Sequence, residues 1–442
     1  MLFKGLKNLG PYVVLVSCFL TTALFLMSKN SILAIADKPF LALSQYFSLI
    51  AATLLSWAYV LSTRARFLEK LFGSLDRIYR VHHVIGITAF ILVLYHPTLL
   101  VLNAWGGDTS PLQYFFVGKT LENNFGVVAF YLLIALLALT LYNKIPYHLW
   151  KISHQFMGVV LVFVGLHIGT ITSDVSRNEP LKIWMLSVVA VGISAYMYKL
   201  IIYKNFTSKY NYVVDEIIKK GSIFELILNP KNENRPMIFE AGQYVFMRTA
   251  DFKIGPEEHP FSISSPTNSK KIRLAIKILG DYTEQLSKIQ KGAKLYLYGP
   301  YGDFSSKINT TPRIIAIAGG IGITPFLSIL GSNMTDPATK MHLFYCTNNE
   351  TDAVYKNELI ATTKETSNIE IIFWYSSIKG KIQAAKTLAP EMGVFMQDAR
   401  KDVRNTLVML CGPTEMMASL AKQFIELGVP RKNIVFEDFA LK

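Results

Sequence analysis

Apolar residues are spread unevenly along this chain of 442 residues. Up to Tyr203 they fall into six long runs: Tyr12–Met27, Phe40–Ser62, Tyr79–Leu102, Phe125–Tyr142, His148–Ile171 and Leu181–Ile202. Most are near the length of about 20 residues that a helix rising 1.5 Å per residue needs to cross a bilayer. From Lys204 the apolar runs shorten. Residues 209–306 read as short strands between turns, with Glu240-Ala241-Gly242-Gln243-Tyr244-Val245-Phe246 alternating around a glycine. Beyond Pro312 strands alternate with helical segments, the pattern of a parallel α/β sheet. The prediction is a multidomain chain: a six-helix transmembrane α bundle over 1–203, a β-barrel over 204–308 and an α/β domain over 309–442.

The first run is the shortest and follows Lys4 and Lys7, and Ala34-Ile35-Ala36 has the small-residue spacing of a signal-cleavage site. Lys29 interrupts the intervening stretch and the small residues lie far downstream, so the run reads as a retained anchor. A net charge of +14 raises the question of a nucleic-acid partner, but the charge is placed otherwise. Residues 1–203 hold 15 Lys/Arg and 7 Asp/Glu, mostly in short loops between runs. Lys4, Lys7, Arg64, Arg66, Lys70, Arg77, Arg80, Lys144, Lys151, Lys199, Lys204 and Lys209 fall on one side. Lys29, Lys38, Lys119, Arg177 and Lys182 fall on the other. Twelve against five places the N-terminus and the C-terminal half in the cytosol of a multi-pass cell-membrane protein, with the lipid bilayer rather than nucleic acid as partner. Cys18, Cys346 and Cys411 have neither metal-ligand spacing nor a disulfide framework.

Besides His148, which opens the fifth run, five of the eight histidines, His82, His83, His96, His154 and His167, lie inside the third and fifth runs. An ionisable side chain inside a span is costly and points to function. Neutral imidazole is a common axial ligand of haem iron, and helical bundles hold such groups between facing helices. Both runs travel from cytosol to exterior, which pairs His82 with His154 on the inner side and His96 with His167 on the outer. His82 to His96 is 14 residues, about 21 Å of rise and ~40° short of whole turns, so these two share a face and His83 does not. His154 to His167 is 13, which an ideal helix does not align; Gly158 and Gly165 permit a bulge or bend there.

In the C-terminal half, His259-Pro260-Phe261-Ser262-Ile263-Ser264-Ser265 presents hydroxyls and an aromatic suited to the edge and face of a planar ring. Tyr298-Gly299-Pro300-Tyr301-Gly302 reads as a turn closing the barrel. Gly319-Gly320-Ile321-Gly322-Ile323-Thr324-Pro325 follows a strand at Arg313–Ala318 and leads into a helix from Phe326. Its glycines let backbone amides approach a pyrophosphate, and the strand–turn–helix context carries more weight than the bare motif, which is not GxGxxG. Leu407–Leu410 is a strand leading into Cys411-Gly412-Pro413 and a helix from Thr414.

These segments resemble the bacterial NADPH oxidase and ferric reductase-like transmembrane superfamily, whose cytosolic half is of the ferredoxin-reductase type. The membrane half carries the resemblance in Tyr79-Arg80-Val81-His82-His83-Val84-Ile85-Gly86 with His96-Pro97, and in Trp150-Lys151-Ile152-Ser153-His154 with His167. The other half carries it in HPFSISS at 259–265, Lys277-Ile278-Leu279-Gly280-Asp281-Tyr282-Thr283 and GGIGITPF at 319–326, so nearly the whole chain is covered. The resemblance implies two b-type haems, with His82, His96, His154 and His167 as the metal ligands. It implies an FAD-binding barrel in which His259, Pro260, Phe261, Ser262, Ser264 and Ser265 hold the flavin. Lys277, Gly280, Tyr282 and Thr283 would meet the diphosphate. It further implies an NADPH- or NADH-binding α/β domain using Gly319, Gly320, Gly322, Thr324 and Pro325. Cys411, Gly412 and Pro413 would lie beside the nicotinamide, with the Cys411 thiol filling space, and Phe439 would cover the flavin until nicotinamide displaces it. Lys379 and Lys381 stand where relatives often carry an arginine, while Thr347-Asn348-Asn349 offers no cation after the preceding strand; the balance leans to NADPH.

The expected function is electron transfer from cytosolic NAD(P)H through FAD, the inner haem and the outer haem to a small-molecule acceptor outside. Oxygen, giving superoxide, is the favoured acceptor and a ferric chelate the alternative. Leu100 stands where eukaryotic NADPH oxidases carry a further histidine, and the outer loop Asn103–Asn124 offers Asp108 and Glu122 but no iron-binding cluster. Two other readings remain open: a haem-free anchor for a flavoreductase, and a membrane sensor with a degenerate reductase domain.

Overall fold

The computed structural model describes residues 9–29, 32–105, 111–118, 120–142, 145, 147–203, 209–251, 254–255, 257–333, 336–364, 366–387 and 403–437. The chain divides into two compact units, Met1–Thr207 and Ser208–Lys442.

The first unit is helical: α1 (Gly10–Met27), α2 (Pro39–Ser62), α3 (Leu75–Ala104), α4 (Leu121–Leu141), α5 (Tyr147–Gln155), α6 (Met157–Thr170) and α7 (Glu179–Met197). Among the described residues, six helical segments of 18 to 28 residues are long and apolar enough to cross a membrane, α5 and α6 counting as one from Leu149. Large apolar side chains such as Phe19, Val84, Ile183 and Val191 are exposed on these helices. That is a liability in water and the normal state against lipid. The interior holds small and hydroxyl residues, including Ala51, Ala52, Thr53 and Ser56 on α2, which let helix backbones approach. Thr21 and Thr53 share a hydrogen bond of 3.0 Å, and Trp184 Nε1 donates to Thr21 Oγ1 at 2.9 Å, so buried polar groups are satisfied within the bundle.

Between α5 and α6 the helix breaks at Phe156, whose N–H reaches both Ile152 O (3.3 Å) and Ser153 O (3.1 Å). The shorter-range bond overwinds the helix, in the sense needed to carry residue 167 toward the face of residue 154. The irregularity is thus not at Gly158 or Gly165. A β-carbon on Gly158 would lie 2.3 Å from the Tyr196 ring and one on Gly165 3.0 Å from Val189, so both serve close packing against α7.

The second unit begins with β1 (Lys209–Lys220), β2 (Ile223–Pro230), β3 (Tyr244–Thr249), β4 (His259–Ser262), β5 (Ile272–Lys277) and β6 (Lys294–Tyr301). They form one antiparallel sheet in the order β4-β3-β6-β1-β2-β5. The sheet curls until its ends meet: Ile263 bridges Leu274, and Ser264 N donates to Arg273 O at 2.8 Å. Tyr212, Phe224, Leu226, Val245, Ile263 and Leu297 fill the interior. Bulges in β1 at Val214/Glu216 and in β6 at Gly299-Pro300 supply curvature. The 298–302 segment, expected as a turn, instead continues β6 to Tyr301. Pro300 lacks an N–H, and it sits in the β6 bulge itself, where no ladder donor is required.

A parallel sheet follows, built from β7 (Arg313–Gly319), β8 (Lys340–Thr347), β9 (Ile369–Tyr375), β10 (Thr406–Cys411) and β11 (Ile434–Glu437) in the order β11-β10-β7-β8-β9. Strands β7 and β10 are buried almost throughout, as central strands covered on both faces must be. Besides the short helix α8 (Asp281–Leu286) after β5, this unit contains α9 (Thr324–Gly331), α10 (Lys356–Thr363) and α11 (Thr414–Glu426).

Candidate functional site

The third and fifth spans bring their histidines together in the two pairs the sequence suggests. The rings of His82 and His154 lie 6.1 Å apart at an interplanar angle of 69°. His96 and His167 line one cavity with Ser48, Leu49, Leu100, Gly126 and Val164. His83 is exposed on α3.

Three of the four rings are anchored through Nδ1 to a main-chain carbonyl: His82 to Ala58 O (2.9 Å), His96 to Ser44 O (3.0 Å) and His167 to Glu122 O (2.6 Å). A carbonyl only accepts, so each bond fixes the proton on Nδ1 and leaves the Nε2 lone pair free for a metal. His154 is held differently. Its Nδ1 lies 3.3 Å from Thr140 Oγ1, and its ring is stacked on Trp150 at 5.3 Å and 7°. Trp150 Nε1 in turn donates to Thr140 O at 3.1 Å. Gly126 lets α4 pass beside His167; a β-carbon there would stand 3.0 Å from Cε1 of that ring. These supporting groups were not singled out from the sequence, because backbone carbonyls carry no residue signature.

In the barrel, β4 carries His259, Pro260, Phe261 and Ser262, paired with Met247, Phe246, Val245 and Tyr244 of β3. Phe261 is half-buried against the barrel interior. His259 stacks on Tyr282 with ring centres 3.7 Å apart, and its Nε2 meets Glu257 Oε2 at 2.9 Å. Burial, and then the Glu257 carboxylate, push the Tyr282 hydroxyl above its usual range. The hydroxyls of Ser264 and Ser265 turn toward β5. Ser264 Oγ donates to Arg273 O (3.0 Å), and Ser265 Oγ accepts from Arg273 N (3.2 Å). Thr283 Oγ1 accepts from the amides of Leu279 (2.9 Å) and Gly280 (3.1 Å), so those amides are held within the turn that follows Lys277. The aromatic group Tyr244, Phe246 and Tyr301, with ring centres 5.6–6.0 Å apart, stands next to β4 and was not anticipated.

The parallel sheet has its topological switch between β7 and β10, since β8 and β9 extend to one side and β11 to the other. Open α/β sheets bind ligands at the carboxyl ends of the strands at such a switch. Gly319–Pro325 and Cys411–Pro413 occupy those ends. The two turns touch backbone to backbone: a β-carbon on Gly322 would lie 2.2 Å from Cys411 O, and one on Gly412 3.0 Å from Gly319 Cα. Gly320 has φ +55° and open space where a side chain would be, which leaves that face of the turn accessible. Thr324 is buried and donates to Ile321 O at 3.0 Å, and Pro325 stands in the first turn of α9. Cys411 is buried. Burial pushes the Cys346 thiol up to about 12, so Cys346 lacks the character of a nucleophile. Lys379 Nζ lies 5.2 Å over the Trp374 ring, and the loops after β8 and β9 are joined by Ser377 N to Asn348 O at 3.1 Å. Phe439 lies outside the described residues.

Comparison with known proteins follows this division. Residues 47–165 match the ferric reductase-like transmembrane component, 213–316 an FAD-binding domain and 316–422 an oxidoreductase NAD-binding domain. The order is that of the NADPH oxidase and ferric reductase-like superfamily. The chain is a membrane oxidoreductase of this type. Among curated relatives, it is 22% identical over 246 residues to Flavohemoprotein A of Dictyostelium discoideum, covering 52% of this chain and 59% of the relative. It is 28% identical over 217 residues to ferredoxin–NADP reductase B of Sorangium cellulosum, covering 47% and 88% respectively. The flavohemoglobin of Malassezia yamatoensis, solved with FAD and haem, superposes with a TM-score of 0.51 at 17% identity over 91% of this chain and 98% of its own, a likeness of fold.

Proposed function

We propose that the reductase half faces the cytosol and draws electrons from NAD(P)H, and that the membrane half carries them on two b-type haems to an acceptor outside, with dioxygen favoured. The observation that supports this most is the pairing of four membrane histidines whose Nδ1 atoms are held and whose Nε2 atoms are free. A bis-imidazole site would need about 6.2 Å between ring centres, from two metal–nitrogen bonds of about 2 Å and roughly 1.1 Å from each nitrogen to its ring centre. The 6.1 Å between His82 and His154 fits, and His96 and His167 face one shared cavity. When bound, FAD would take two electrons from nicotinamide as a hydride and release them singly to haem iron.

The chain's own residues do the positioning. Ala58, Ser44 and Glu122 hold the imidazole protons, and Thr140 with Trp150 steadies His154. On the flavin side, β4 presents His259–Ser262, while Lys277 places positive charge before the Gly280–Thr283 turn. The paired Gly319–Gly322 and Gly412 turns leave the Gly320 backbone accessible at the switch point, where Thr324 and Pro325 open α9. The apolar lining around His96 and His167, Leu100 included, favours a small neutral acceptor over a charged ferric chelate. The charge count places Lys29, Lys38, Lys119, Arg177 and Lys182 outside.

Proteoliposomes test both direction and acceptor. NAD(P)H added to the side exposing the reductase half should drive superoxide formation in the other compartment. Under strict anaerobiosis with a ferric chelate opposite, turnover should fall to background. Sustained anaerobic ferrous production would replace oxygen with ferric iron as acceptor, and superoxide only on the NAD(P)H side would refute transfer across the membrane.

A further inference from the structure

We infer that Arg273 is a positioning residue for hydride transfer, clamping the strand that presents the flavin motif to the domain that presents the nucleotide turn. This rests on the reading of β4 as flavin-binding and of Gly319–Pro325 as nucleotide-binding. Arg273 lies on β5 at the seam where the barrel closes. Its Nη2 donates to Ser264 O at 2.8 Å and to Glu358 Oε1 at 2.7 Å, and its Nε donates to Ser264 Oγ at 3.2 Å. Ser264 lies two residues beyond the end of β4, whereas Glu358 belongs to α10 of the α/β domain. One guanidinium thus holds both parts, using the planar fork that lysine lacks.

The surroundings match this role. Glu225, buried on β2, stands 3.8 Å from Arg273 Nη1 and 3.2 Å from Lys220 Nζ, so a second carboxylate and a second cation balance the group. Burial works against the guanidinium charge, yet Glu358 and then Glu225 raise its affinity for the proton overall. Alongside, Ser328 Oγ of α9 donates to Ser265 O at 2.7 Å, and Thr267 N donates to Ser332 Oγ at 2.9 Å. The helix opened by the glycine-rich turn is therefore tied to the same few residues as Arg273. Interfaces between domains of one chain shift readily unless specifically fixed, and a misplacement of about 1 Å at a reacting pair costs on the order of 10²-fold in rate.

The test uses the full-length protein loaded with FAD, with Arg273→Gln, Glu358→Gln and the double variant. Anaerobic rapid mixing with saturating NAD(P)H follows flavin bleaching and the long-wavelength nicotinamide–flavin charge-transfer band. Each single variant should slow bleaching by about 10- to 100-fold and weaken the band. FAD content, nucleotide Kd and bleaching by dithionite should stay unchanged. The double variant should be no slower than the worse single, because the two groups act as a unit. If Arg273→Gln fails to retain FAD, Glu358→Gln, remote from the flavin strand, decides alone. Bleaching and charge-transfer amplitude at wild-type level in Glu358→Gln would overturn the inference, as would a loss confined to FAD retention or nucleotide affinity. Protein that never contains FAD would refute the flavin reading and this inference with it.

Discussion

Gly322→Ala should uncouple NAD(P)H from the flavin while leaving the rest of the protein intact. The new β-carbon would stand 2.2 Å from Cys411 O, 2.5 Å from Cys411 C and 2.8 Å from Gly412 N. Ordinary carbon–oxygen contacts lie near 3.3 Å, so the turns after β7 and β10 must separate by roughly 1 Å. Both obstacles are backbone, and no side chain can rotate aside. Overpacking of this kind costs about 1–3 kcal/mol, which a domain stable by roughly 5–15 kcal/mol survives. The nucleotide turn itself absorbs the displacement, and a 1 Å error at a reacting pair is worth on the order of 10²-fold in rate. Rapid-mixing measurement of flavin bleaching by NAD(P)H should show that loss, with FAD content and dithionite reduction unaffected. A rate within threefold of wild type would show that the two turns do not form the nucleotide site.

Thr140→Val removes the side-chain hydroxyl at His154 Nδ1 and should weaken haem retention at the inner pair about tenfold. Haem content after dialysis measures this, with the outer haem unchanged. Replacing Lys379 and Lys381 together by alanine should raise KM for NADPH about tenfold or more and leave KM for NADH unmoved if these cations meet the 2′-phosphate. Equal effects on both coenzymes would remove that role. His342, buried on β8, is held down to about 4, by burial first and Lys340 second. Its folded pKa lies below the unfolded value of about 6.5, so the unfolded chain binds the proton first. Its neutral form favours folding fully above about pH 6.5, and that contribution, about 3 kcal/mol, is lost as pH falls toward 4. FAD release on heating should therefore shift to lower temperature across that window, and His342→Leu should flatten the shift.

The large divisions were legible because each rests on a local pattern. Long apolar runs mark spans, and β7 reads as a buried parallel strand from Ile314-Ile315-Ala316-Ile317 alone. The histidine pairs were legible because an imidazole is conspicuous among leucines and valines. What was hidden depends on partners distant in sequence or on the backbone. Phe156, where the fifth span breaks, is an ordinary aromatic, while the glycines that suggested a bend are spent on Tyr196 and Val189. Ser44, Ala58 and Glu122 serve through main-chain carbonyls that any residue supplies. Gly299-Pro300 reads as a turn until its pairing partner β3 shows it to be a bulge within β6. Ser264 and Ser265 read as ligands for a ring, and only the seam with β5 reveals that their hydroxyls serve Arg273.

The most direct test of the central claim is the haem content of the purified, FAD-loaded chain and of variants at the paired histidines. The wild type should carry two haems per chain with a Soret band. Leucine at His96 or His167 should remove one and leave the signal of the inner pair, and leucine at His82 or His154 should do the reverse. FAD-replete protein without a Soret band, or undiminished haem after both His96 and His167 are replaced, would contradict transfer of electrons through the membrane on these four residues.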